Sequence, residues 1–200
     1  MDMDADGFEV LELDWQGPVD MAAVGATPAD VWDGLQGPGV YLMVMSYADH
    51  AGVYVGLSKN VLDRVRSHVA ATMGLTYGLR DYAGDWRYEP APAPRYFEQF
   101  SDAANLAEIS ALAQAEVRRT KWFFAAVEDA RGLPYVEGVL IRHVRGLAAG
   151  GVLLAGRRIK SDNGNAGSQP TGPLMLRNTG ADDAVSLLGD VVQWPMEQAA

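Results

Sequence analysis

Residues 37–70 read GPGVYLMVMSYADHAGVYVGLSKNVLDRVRSHVA, and the way this run parses decides the fold of the chain around it. Val40, Tyr41, Leu42, Met43, Val44 and Met45 form an aromatic and β-branched run of strand character, and Val53, Tyr54 and Val55 form a second. Between them, Ser46 to Gly52 supplies Asp49 and Gly52 for a turn. Ser58 is the expected N-cap of a following helix, in which Val61, Leu62, Val65 and Val69 recur at helical spacing. The run is therefore a β-hairpin feeding a helix. Arg64 and His68 stand four residues apart, which puts both side chains on one face of that helix.

The tripeptides Gly39-Val40-Tyr41 and Tyr54-Val55-Gly56 are separated by 12 residues, and Lys59, Arg64 and His68 follow the second Gly by three, eight and twelve. This combination resembles the GIY-YIG nuclease domain, with a Val for Ile exchange that is mild in a buried strand. The resemblance implies a small, mainly antiparallel three-stranded sheet flanked by helices, an α/β (α+β) fold with insertions. It spans roughly Gly37 to Leu147.

At 200 residues with 48% hydrophobic content, the chain allows one ordinary domain with decoration. No apolar run reaches the ~18 residues of a membrane span, and the acidic N-terminus has no signal-peptide character. The expectation is a soluble, cytoplasmic protein with no membrane partner. The chain has no cysteine, which excludes a disulfide framework and a thiolate metal site. His50, His68 and His143 show no zinc spacing, and no P-loop, nucleotide fingerprint or internal repeat is present.

The net charge of −10 argues against a nucleic-acid partner, whose affinity rests largely on Lys and Arg at phosphates. Its distribution weakens the objection. Asp2, Asp4, Asp6, Glu9, Glu12, Asp14, Asp20, Asp30 and Asp33 all precede residue 37, where no base occurs, so of the 26 acids 17 remain against 16 bases. Between Gly138 and Ser161 stand Arg142, Arg145, Arg157, Arg158 and Lys160 with no acid among them, a candidate DNA-binding stripe. The same charges also suit a solvated polar face.

Residues 1–36 read as an acidic N-terminal arm. Phe8 to Trp15 suggests a short strand or extended segment stopped by Gly17-Pro18, and Thr27-Pro28 opens a short helix that closes at Gly37-Pro38. Such an arm either packs on the sheet or covers a basic cleft until DNA displaces it. The domain proper is expected over 37–200, with an insertion at about 72–100 and an extension from about 150. The insertion is rich in Gly, Pro and aromatics, with Tyr77, Tyr82, Trp86, Tyr88 and Tyr96 near Arg80, Arg87 and Arg95; these either stack on bases or pack the loop on its own domain. Asp102 to Arg119 is an amphipathic helix, and Lys121 to Glu128 is a buried third strand. Residues 182–194 close the chain as helix or strand.

Pro134 begins the next helix, where Glu137 heads an apolar stripe of Leu140, Ile141, Val144 and Leu147. A carboxylate there is costly unless a metal or an Arg pairs with it, although the helix dipole alone also favours a Glu in a first turn. The family resemblance implies the metal-ligand role for Glu137, since family members carry a Glu early in the helix after the third strand. They also place a phosphate-orienting Asn a dozen to twenty residues further on. Ala149 to Arg157 has none, which leaves Asn163 or Asn165, with Asn178 as a fallback.

The chemistry implied is metal-dependent endonucleolytic hydrolysis of phosphodiester bonds in DNA, duplex or branched. One Mg²⁺ or Mn²⁺ would sit on Glu137 and waters, and Arg64 would neutralise the attacked phosphate. Tyr54 is the expected general base and Tyr41 a hydrogen-bond partner of the phosphate, while His68 assists the leaving group or holds phosphate. A tyrosine pKa of about 10 leaves about one molecule in a thousand ionised at pH 7, so a metal-bound water or Lys59 must lower the cost. The alternative is a catalytically inactive module of the same fold that binds nucleic acid or a protein partner. Stringent sequence recognition would need residues 72–100 or a homodimer.

Overall fold

The computed structural model describes every residue except 1, 5, 24, 26, 90–97, 100, 128–131 and 196–200. Its elements are β1 (Asp2–Met3), β2 (Glu9–Asp20), α1 (Ala29–Gly34), β3 (Gly39–Ser46), β4 (His50–Ser58), α2 (Val61–Met73), β5 (Leu79–Arg80), β6 (Trp86–Tyr88), α3 (Ala103–Arg119), β7 (Thr120–Ala126), α4 (Leu133–Ala149), β8 (Leu153–Leu154), β9 (Arg157–Ser161), β10 (Leu174–Gly180), α5 (Asp182–Leu188) and β11 (Val191–Trp194). Eight strands form one sheet in the order β11-β10-β2-β7-β3-β4-β9-β8, and β1 joins beside β2 as a ninth. The sheet is mixed, because β10 runs parallel to β2 and β9 parallel to β4 while the other pairs are antiparallel.

This overturns the expected small three-stranded, mainly antiparallel sheet. The expected strands β7, β3 and β4 are adjacent, but the sheet continues past both of them. The reason is local. The β2 chain does not stop at Gly17-Pro18; it runs through them as an irregularity in its pairing with β7, between Gln16 and Val19. A bulge lets a strand carry a proline that lacks a ladder donor. The polar run RRIKS of β9 gave no strand signal, yet Ile159 is buried between exposed Arg158 and Lys160. Residues 9–20, read as part of an arm, are thus an interior strand between β10 and β7.

Period-two alternation splits the core. Val40, Leu42 and Val44 of β3, with Phe123 and Ala125 of β7, face Val136, Val139, Leu140, Ile141 and Val144 of α4, and α5 packs on the same side. Tyr41, Trp122 and Phe124 point the other way, onto Val61 and Val65 of α2 and against α1. The helix after β4 is capped by Asn60, whose side chain accepts from the Asp63 N–H at 3.0 Å. Ser58, the expected cap, is still in β4, and its hydroxyl donates to Asn60 O at 2.7 Å to shape the turn.

The expected insertion holds a two-stranded β5–β6 sheet, and buried Leu79 packs with Leu75 on Ile109 and Ala113 of α3. Pro90, Pro92, Pro94, Arg95, Tyr96 and Glu128 lie outside the described residues. The Gly39-Tyr41 strand, α3, β7 and the Pro134 helix stand close to where the sequence places them. No described helix is long and apolar enough to cross a membrane.

Candidate active site

The register of the hairpin sets the centre of the site. Tyr41 lies opposite Gly56 and Met43 opposite Tyr54, so both tyrosines project from the α2 side, ring centroids 6.2 Å apart. A Cβ at Gly56 would collide with the ring and hydroxyl of Tyr41. Glycine at this position is therefore what lets Tyr41 lie flat across its own cross-strand partner. A Cβ at Gly39 would stand 2.5 Å from Ala125 O, so the first Gly of the pair is needed for strand pairing with β7.

Tyr41 is 1% exposed and its hydroxyl joins the two helix residues. Arg64 Nε donates to it at 3.1 Å, and it lies 3.1 Å from His68 Nε2. The guanidinium has only donors, so Tyr41 accepts from Arg64, and its hydroxyl is also hydrogen-bonded to His68 Nε2, donating or accepting according to the imidazole tautomer. Burial pushes the Tyr41 hydroxyl well above its ordinary value, against the opposing Arg64 hydrogen bond. Burial and the Arg64 charge together pull His68 down to about 4. At neutral pH the imidazole is thus uncharged. The Tyr41 hydroxyl is tied to both helix residues inside the protein.

His68 sits in an aromatic cage. Its ring centroid is 5.8 Å from Tyr41, 5.9 Å from Tyr54, 5.3 Å from Trp122 and 5.2 Å from Tyr77. The sequence reading places Tyr77 among the insertion aromatics and Trp122 in a buried strand, and puts neither beside His68. The alternation in KWFF would have found Trp122 once that strand was set beside β3; Tyr77, in an aperiodic stretch, gave no such signal. Among the described residues the half-buried Tyr54 hydroxyl has no hydrogen-bond partner, and neither do the terminal nitrogens of Arg64. These are the polar groups of the cage free to meet a ligand. Lys59 is exposed at the turn between β4 and α2.

Glu137 comes from α4, on the opposite face of the sheet. β9 pairs with β4 only as far as Val53, so the outward edge of β4 beyond it has no strand partner. Three groups continue the ladder in its place. Asp162 N donates to Val53 O at 2.8 Å; Asn163 accepts from Val55 N at 2.9 Å and donates to Val55 O at 2.7 Å; and Glu137 accepts from the backbone N–H of Leu57. Burial raises the Glu137 carboxyl above the usual range, while Arg64 and the Leu57 hydrogen bond pull it down. The Arg64 charge on α2 is thus felt at Glu137 on α4.

The remaining candidates scatter. Asn163 is buried and its side chain is used on Val55, whereas Asn165 is exposed. Asn178 is remote from these groups: it accepts from Trp15 Nε1 at 3.0 Å and donates to Gly189 O at 2.8 Å, tying β10 to β2 and to the turn before β11. Of the basic stripe, Arg142 donates to the carbonyls of Gly138, Gly167 and Ser168, and Arg145 to that of Asn163 at 2.8 Å. Both hold the 161–168 loop against α4, where a Cβ on Gly138 would strike Ser168. Arg157 Nε is buried without a hydrogen-bond partner, and Arg158 and Lys160 are exposed.

Among the described residues no group of three or more His, Asp or Glu is placed to hold a metal ion. A lone, partly desolvated carboxylate still fits a hard divalent ion, since Mg²⁺ keeps most of its waters and takes one or two carboxylates plus substrate phosphate. No family model, curated protein or solved structure matches the chain.

Proposed function

We propose that the protein is a metal-dependent endonuclease that hydrolyses phosphodiester bonds in DNA, using a GIY-YIG-like set of residues on a larger sheet. The observation that carries this reading is the grouping of Tyr54, whose hydroxyl has no partner among the described residues, with Tyr41, His68 and Arg64, whose charge is felt at Glu137 on the opposite face of the sheet. The terminal nitrogens of Arg64, beside these tyrosines, suit a phosphate.

In this reading the terminal nitrogens of Arg64 bind the attacked phosphate, and the Tyr41 hydroxyl fixes the guanidinium through Nε. His68 is a positioning residue that orients Tyr41 through their hydrogen bond. Tyr54 contacts the attacking water and, as phenolate, takes its proton as the water oxygen bonds to phosphorus, while the P–O bond to the leaving oxygen breaks and that oxygen takes a proton from solvent water. Glu137 would hold Mg²⁺ or Mn²⁺, which when bound neutralises phosphate charge and lowers the pKa of a coordinated water. Asn163 acts on the site through Val55, immediately after Tyr54, and not by touching phosphate.

The test is nicking or linearisation of supercoiled plasmid at low salt with Mg²⁺ or Mn²⁺. Wild type should cut, and Glu137→Gln and Arg64→Ala should lose at least ~10²-fold in rate with unchanged circular dichroism. A second reading, a binding module that does not cleave, draws on the commitment of Asn163 and of the Tyr41 hydroxyl to the protein itself. Binding without cleavage of plasmid, single-stranded or branched DNA would favour it.

A further inference from the structure

Beside the cage, between α2, α3, the β5–β6 hairpin and the sheet, lies a cleft of about 290 Å³ that shares Tyr54 and His68 with the site above. Its floor is apolar, formed by Met43, Met45, Val69, Val117 and Trp122. Two flat rings stand at its walls: Tyr77, 36% exposed, and Trp86, 50% exposed. Trp86 is held by the Arg80 guanidinium, 4.3 Å from its ring centroid, and Arg80 is fixed in turn by Nη1 hydrogen bonds of 3.2 and 3.0 Å to the two carboxylate oxygens of Asp162. Beneath them, Tyr47 donates to Glu116 at 2.8 Å, and Glu116 lies 3.4 Å from Arg119 Nε.

This cleft is unsuited to phosphate. Arg80 is paired with Asp162 and Glu116 with Arg119, so an anion would find no unpaired cation among the described lining residues and would meet an apolar floor. It suits a flat, uncharged, aromatic body. Its volume is at the small end of the ~300–1,000 Å³ of small-ligand sites, too small for a stacked base pair. We propose that the cleft receives a single nucleobase displaced from its stack at the nucleotide next to the scissile phosphate, so that the preferred substrate is DNA with an unpaired base at the cut.

The proposal rests on the nuclease reading and names its substrate class. A base in the cleft places its own sugar and phosphate at Tyr54 and His68, which also belong to the site above. Duplex DNA would have to unstack a base to enter, a cost that an already unpaired base does not bear. Trp86 and Tyr77 offer faces for stacking, which tolerates any base.

The experiment measures binding by fluorescence anisotropy, with the full chain in EDTA at low salt. Two labelled duplexes are compared, identical except that one carries an extrahelical base and the other an abasic residue at that position. The base-bearing duplex should bind about tenfold tighter, the scale of one base–aromatic stack. Trp86→Ala, on the surface, and Val117→Phe, which fills the cleft, should each bring the two affinities together. Equal binding of both duplexes by the wild type would overturn the base pocket, and so would a preference that survives both substitutions. Cleavage of the base-bearing duplex on adding Mg²⁺ is read separately, so the pocket can fail while the nuclease stands. Binding of neither duplex would overturn the pocket, and absence of cleavage with the base preference intact would overturn the nuclease reading alone.

Discussion

At the scale of single residues, the Tyr41 hydroxyl holds the most consequences, because one oxygen serves both Arg64 and His68. Tyr41→Phe keeps the ring and removes both bonds. It should cost ~1 kcal/mol in urea unfolding and at least ~10²-fold in plasmid cleavage, because a loosened Arg64 misplaces the phosphate. His68 offers a pH test whose sign follows from its depressed value. Its folded pKa of about 4 lies below the ordinary 6.5, so between these values the unfolded chain binds the extra proton. The neutral imidazole's contribution is full above pH 6.5 and is lost as pH falls towards 4. Glu116 and Glu137, both raised by burial, act in the opposite direction, so the difference between proteins is the proper readout. The stability advantage of wild type over His68→Gln should shrink between pH 7 and pH 4.5. A constant difference across that range would show that His68 does not titrate as its burial demands. At this scale the sequence was legible for chemistry-bearing residue types and not for their commitments: nothing in the spelling of Asn163 distinguishes a phosphate ligand from a backbone clamp.

At the scale of elements, the short reach of β9 is the decisive feature. Where β9 leaves β4 after Val53, side chains from the following loop and from α4 take over the ladder. Asn163→Ala removes both bonds to Val55 and leaves a buried N–H and C=O unpaired. A loss of roughly 2–4 kcal/mol is expected, taking ~1–2 for each unsatisfied group, against ~1 kcal/mol for Asn60→Ala at the exposed helix cap. Denaturant titrations of the two variants side by side will rank them, and equal losses would mean that the β4 edge is hydrated. The hairpin, α2, α3, β7 and α4 could be read from periodicity because each carries its own pattern of two or 3.6. β2 could be read only as far as Trp15, and β9 and β10 could not: a Gly-Pro within the first and a charged face on the second mask strands whose signal is their neighbours.

At the scale of the molecule, residues 9–20 and 174–194 belong to the same core as the hairpin. β2 lies between β10 and β7, and Leu13, Trp15, Leu174, Leu176, Leu187 and Val192 join the cluster under α4. Deleting residues 1–20 should therefore yield insoluble or unfolded protein, visible as lost near-ultraviolet dichroism; a displaceable arm would leave a folded protein. By itself the sequence determined the hairpin, the helix that presents Arg64 and His68, and the helix that presents Glu137. These are local, because side-chain periodicity and turn chemistry act over a few residues. Only the tertiary structure decided that the sheet grows to nine strands, that its acidic N-terminal segment is an interior strand, and that Asn163 and Asn178 are spent on backbone and indole partners. Strand neighbours and buried polar partners are chosen between residues more than a hundred positions apart, such as Asn163 with Val55 and Asn178 with Trp15, and no local pattern encodes that choice.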